Sequence, residues 1–112
     1  MAQDKTEMKK QANLTFTRKA ISYYSKKDFV LYFIKKYEEI NDLAYYEVNV
    51  PASYGVLGVV LDNFYKAGYG KEEVIKFIDY ALEKGKEERR NVKLKTLHYE
   101  LSDYLFNLKN GI

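Results

Sequence analysis

The chain has 112 residues, no cysteine, no tryptophan and one proline, and its 19 Lys and Arg against 16 Asp and Glu leave a formal charge of +3. A chain of this length makes one domain that buries about 65% of its unfolded surface, and without cysteines it has no disulfides and no thiolate chemistry. No apolar run approaches the roughly 20 residues of a membrane span and the polar start does not read as a signal peptide, so the expectation is a cytoplasmic protein with no membrane partner.

Charge is uneven along the chain. Residues 1–27 hold seven Lys or Arg and two acids, a net +5, whereas the remainder holds twelve basic and fourteen acidic residues. Residues 1–13 read as a basic arm and 14–112 as a single helical domain. Such an arm either neutralises phosphates by releasing counterions or is a solvated tail. Lys9 and Lys10 in the arm, with Arg18 and Lys19 just after it, are the candidate contacts.

Ser25-Lys26-Lys27-Asp28 has the spacing of a capping box, with aspartate in place of the usual glutamate. Val30, Phe33, Ile34, Tyr37 and Ile40 follow at helical spacing and predict a helix over about 26–41, closed by Asn41-Asp42. Next, Tyr46, Val48 and Val50 alternate with Glu47 and Asn49, which is a strand period. Because a two-stranded ribbon is marginal, 43–50 is read as an extended connector, with a short strand as the alternative.

Two helices over about 53–66 and 71–84 fold back across the turn Ala67-Gly68-Tyr69-Gly70. Leu57, Val60, Leu61 and Phe64 mark the buried face of the first, and Val74, Ile75, Ile78, Ala81 and Leu82 that of the second. Pro51 and Ser53 mark the start of the first helix, the serine as a source of capping. Glu72 and Glu73 suit the positive end of the second. Gly55 and Gly58, three residues apart, share a side on which another backbone could pack, from this domain or from a second copy. Homo-oligomerisation therefore stays open.

The segment Lys84 to Lys95 has six basic residues against two acids, and Gly85 reads as a helix stop. Arg89, Arg90, Lys93 and Lys95 make it a second candidate phosphate-binding surface; taken alone it also reads as a solvated loop. A last helix over about 96–109 carries Leu97, Leu101, Tyr104, Leu105 and Leu108 on one face and stops at Lys109-Asn110-Gly111. His98 lies off that face as a margin residue. The fold expected is all-α, a small bundle of four main helices.

Nothing in the chain assembles a catalytic constellation, so no enzyme, no cofactor and no metal are expected. One histidine without cysteine cannot build the usual zinc sites or nucleophile–base pairs. Gly68-Tyr69-Gly70-Lys71 lacks the spacer and the Ser or Thr of a phosphate loop. A recognition helix beginning Lys71-Glu72-Glu73 would set two carboxylates against the DNA backbone, which excludes a standard helix-turn-helix there. Most of the twelve tyrosines read as core margins; Tyr23, Tyr24, Tyr45 and Tyr69 are the candidate contacts for a protein partner.

The phrases Phe29-Val30-Leu31-Tyr32-Phe33-Ile34, Leu61-Asp62-Asn63-Phe64-Tyr65, Gly70, Glu72-Glu73-Val74, Ile78-Asp79-Tyr80, Leu97 and Leu101 occur in an order that resembles small replication-accessory proteins of phages of Gram-positive bacteria. Those proteins are helicase loaders or replisome organisers. The likeness spans about Lys26 to Leu108, and the chain departs from it by a longer basic connector before the last helix. The resemblance implies a DNA replication accessory protein that binds nucleic acid, a replicative helicase, or both, in the host cytoplasm. The alternative is a phage-encoded, anti-CRISPR-like inhibitor that blocks a host enzyme or defence nuclease. Its basic residues would then meet an acidic protein surface, with tyrosines as hot spots.

Overall fold

Ser25 and Asp28 start the first helix reciprocally. The Asp28 amide donates to the Ser25 hydroxyl oxygen (3.3 Å), and the Ser25 amide donates to the Asp28 carboxylate (2.9 Å). Lys19 adds its ammonium to the same carboxylate at 3.0 Å. Burial opposes ionisation of Asp28, but the Ser25 amide, the Lys19 ammonium and the Ser25 hydroxyl outweigh it and hold the carboxyl below its ordinary range.

The structure, a computed structural model, describes residues 18–46 and 50–111. A short 3-10 turn, Ile21–Tyr23, precedes α1 (Lys26–Asn41). Then come α2 (Val50–Lys66), α3 (Lys71–Glu87), a 3-10 segment (Leu94–Glu100) and α4 (Leu101–Lys109). Among the described residues there is no strand. The expected all-α bundle of four main helices is therefore the observed one. The arm, 1–13, and residues 47–49 of the connector lie outside the described residues.

Three polar ties show that α1 and α3 run parallel, start beside start. Lys71, opening α3, donates to the Ser22 and Tyr24 carbonyls just before α1. Halfway along, the Tyr32 hydroxyl donates to Asp79 at 2.7 Å, and near the end of α1 the Tyr37 hydroxyl donates to Asn91, past the end of α3, at 2.6 Å. α2 folds back on α3, and the 3-10 segment packs mainly on α2. Phe29, Phe33, Leu57, Phe64, Phe77, Ile78 and Leu97 are fully enclosed between these elements. Each such side chain contributes about 1.5–3 kcal/mol of apolar burial. Phe64 and Phe77 meet Tyr104 of α4 with ring centroids at 5.9 and 5.3 Å, which closes the core.

Several expectations are corrected. Gly85 does not stop α3: it lies within the helix, buried, with Val92 packed so close that a Cβ would sit 2.5 Å from its Cγ2. Gly58 admits only the end of the Lys26 side chain, and Gly55 faces open space, so the pair does not seat a neighbouring backbone of this domain. Ser53 is inside α2 and buried, three residues past the helix start, and so is not its N-cap. Val50, placed in the connector, opens α2. The last helix is preceded by 3-10 geometry from Leu94, in which Leu94, Leu97 and Glu100 recur inward at a strict three-residue spacing.

Candidate nucleic-acid interface

α2 and α3 end with the same backbone device. After α2 the Tyr69 amide donates to the Phe64 carbonyl (2.9 Å) and the Gly68 amide to the Tyr65 carbonyl (3.0 Å). After α3 the Arg90 amide donates to the Gly85 carbonyl (2.7 Å) and the Arg89 amide to the Lys86 carbonyl (3.2 Å). This pairing, a Schellman motif, needs a left-handed residue just past the helix, usually glycine. Gly68 supplies it after α2 with φ 88°, but after α3 it is Arg89, with φ 57°. An L side chain there costs roughly 1–2 kcal/mol.

Arg89 stands at the rim of an open cleft of about 540 Å³ between the ends of α1 and α3. Tyr37, Asn41 and Leu43 line it from the α1 side, and Gly85, Lys86, Arg89, Arg90 and Asn91 from the α3 side. Asn91 accepts the Tyr37 hydroxyl proton at its Oδ1, so the amide NH2 is the donating group of that side chain. Leu43 is 58% exposed and Tyr46, three residues on, 72% exposed. Lys93, between α3 and the 3-10 segment, meets this stretch: its ammonium lies 5.2 Å from the centre of the Tyr45 ring and donates to the Tyr46 carbonyl.

The candidate cations differ in what they have left to offer. Arg90 is bound to Glu100 at 2.6 Å and Glu88 at 2.7 Å, and those bonds raise its already high pKa. Its charge is spent on holding the 3-10 segment to the end of α3. Lys84, behind it, donates to the Tyr80 hydroxyl. Lys86, Arg89 and Lys95 carry no ion pair among the described residues, and all three are exposed.

Arg18 and Lys19 belong to the other end of the molecule. Lys19 is tied to Asp28 at the start of α1, while Arg89 lies past the end of α3, a helix about 25 Å long. Arg18 and Lys19 therefore share no surface with Arg89. Lys9 and Lys10 lie outside the described residues. Of the four tyrosines singled out as partner contacts, Tyr24 and Tyr45 are core residues at 6% and 8% exposure and Tyr69 is half-buried. Tyr23 alone is exposed.

Sequence reasoning passed over Lys86, Asn91, Leu43 and Tyr46 as site residues. Tyr46 falls in 43–50, read as an extended connector with a short strand as the alternative, and that pattern does not mark it as a contact. Among the described residues no three His, Asp or Glu side chains are grouped as metal ligands would be, and no helix is long and apolar enough to cross a membrane. No protein-family model matches the chain, and no match was found among the curated proteins or the solved structures.

Proposed function

We propose that this chain acts by binding, without catalysis, and that it contacts nucleic acid through the end where α1 and α3 finish. One observation carries the reading: Lys86 and Arg89 line the cleft there without ion-pair partners among the described residues, and Lys93 reaches the Tyr46 carbonyl just past the end of α1. Cations left unneutralised on one face suit a polyanion, whose condensed counterions are released as they bind. The resemblance to phage replication accessory proteins supplies a setting, in which the protein works beside a replicative helicase.

The test is a salt titration of oligonucleotide affinity. Three or four phosphate contacts give a slope of log K against log salt between about −2 and −4. Absence of binding at low salt removes the reading.

The exposed Tyr65, Tyr99 and Phe106 favour a second reading, a protein partner gripped by aromatic anchors, as an inhibitor of a host enzyme would do. Affinity capture from host lysate after nuclease treatment separates the two. A single dominant protein retained after digestion, with no oligonucleotide affinity, supports the inhibitor.

A further inference from the structure

We infer that the nucleic acid received at the α1/α3 end is single-stranded, with a phosphate in the cleft and a base stacked on Tyr46. The inference rests on the nucleic-acid reading above and goes further on two independent observations.

The first is the mixed lining of the site. A duplex shows phosphates outward and keeps its bases stacked inside, so an exposed aromatic beside a cationic surface gains nothing from it. A single strand offers both chemistries at once: backbone charge for a basic groove and free π-faces for aromatic rings. Here the α1 wall carries Tyr37, Asn41 and Leu43 without a charge, and the α3 wall is cationic and polar. Leu43 stands exposed on the first, while Lys86, Arg89 and Asn91 stand on the second, and Tyr46, exposed as well, follows Leu43 by three residues. The Tyr46 carbonyl accepts from Lys93, which ties this residue to one of the cations.

The second is the left-handed backbone of Arg89. Glycine would satisfy the same turn at no steric cost, as Gly68 does after α2. Residues kept in sparsely populated backbone regions cluster at ligand sites, where the surrounding fold bears the strain. The Arg89 conformation sets a guanidinium at the cleft rim, and a guanidinium binds a phosphate with two parallel hydrogen bonds.

The experiment measures anisotropy of a labelled strand of about 15 nucleotides, near the upper site size of a small single-strand-binding fold, in deoxy and ribo forms, and of the deoxy duplex. Wild type, Tyr46→Ala and Arg89→Gly are compared, each with its melting temperature. Wild type is expected to bind a single strand about tenfold more tightly than the duplex. Tyr46→Ala, a change at an exposed side chain, lowers single-strand affinity about tenfold and leaves duplex affinity unchanged. Arg89→Gly weakens single-strand binding by a similar factor while its melting temperature rises by about 4 °C, a combination that a purely structural arginine would not produce. Which of the two sugars binds better identifies the source of the strand. Equal affinity for strand and duplex, with Tyr46→Ala silent, overturns the single-strand inference and leaves nucleic-acid binding standing. Absence of binding to every probe overturns both.

Discussion

The ends of α2 and α3 are built from the same hydrogen bonds and serve different purposes. After α2 the left-handed position is Gly68, unstrained, and the next residue, Tyr69, turns back to place its ring 6.4 Å from that of Phe64, the last buried side chain of the helix. This is the hydrophobic contact that usually completes the motif. After α3 the left-handed position is Arg89, and Arg90, which follows it, reaches outward to Glu88 and Glu100 instead of inward. The apolar closure comes two residues later, from Val92 on Gly85. One end stops a helix and seals the core. The other stops a helix, displays cations and anchors the connector, and it accepts backbone strain to do so.

The contact between Gly85 and Val92 is where this difference is easiest to break. A methyl group on Gly85 would stand 2.5 Å from the Val92 side chain and 3.1 Å from the Arg90 carbonyl oxygen, so the connector must move. Gly85→Ala gains about 1 kcal/mol of helix propensity, but overpacking of about 3 kcal/mol against Val92 and the Arg90 carbonyl outweighs it, for a net loss of about 2 kcal/mol in urea unfolding. Gly85→Ala combined with Val92→Ala should be less destabilised than the sum of the two single changes by about 1 kcal/mol or more. Strict additivity would show that the two residues do not pack as described.

Much of this architecture was legible in the sequence, and what was not has a common cause. The capping box at Ser25, the period of α1 and the turn at 67–70 are local patterns, and each lies where the local chemistry puts it. Gly85 was misread because a glycine in a charged stretch looks like a stop, whereas its purpose is set by Val92, a residue beyond the helix. Arg90 was counted as a free cation because only the fold brings Glu100 to it, ten residues on. The basic composition of the Lys84–Lys95 segment was visible; which of its charges are already neutralised was not. Lys19 and Arg89 fall at opposite ends because α1 and α3 are parallel, a fact of tertiary packing and not of periodicity.

A smaller effect sharpens the comparison from the side of α2. Gly68 has open space around it, so a side chain there meets nothing and feels only the backbone. Gly68→Ala should cost about 1–2 kcal/mol, read as a fall in melting temperature, and leave nucleic-acid affinity unchanged. The corresponding change after α3, Arg89→Gly, moves stability the opposite way. If both substitutions destabilise, the Arg89 side chain holds the fold together and the account of it as a strained contact residue is wrong.

The smallest expected change concerns the third helix end at this site. α1 also closes in the left-handed region, at Asp42 with φ 50°, and its last turn contains no basic residue. A carboxylate there faces the negative end of the helix dipole, which is unfavourable by a few tenths of a kcal/mol at an exposed position. It also stands next to Asn41 and Leu43, both lining the cleft, where it repels a phosphate. Asn tolerates the left-handed conformation as well as Asp does, so Asp42→Asn removes the charge and keeps the turn. Two accounts of the surrounding cations then diverge. If Lys86 and its neighbours serve only to balance the helix dipoles, Asp42→Asn raises stability slightly and leaves oligonucleotide affinity as it was. If they form a phosphate site, the same substitution also tightens binding about twofold at low ionic strength, and the gain fades as salt screens the removed charge. An affinity gain that is present at low salt and absent at high salt is the result that favours the site.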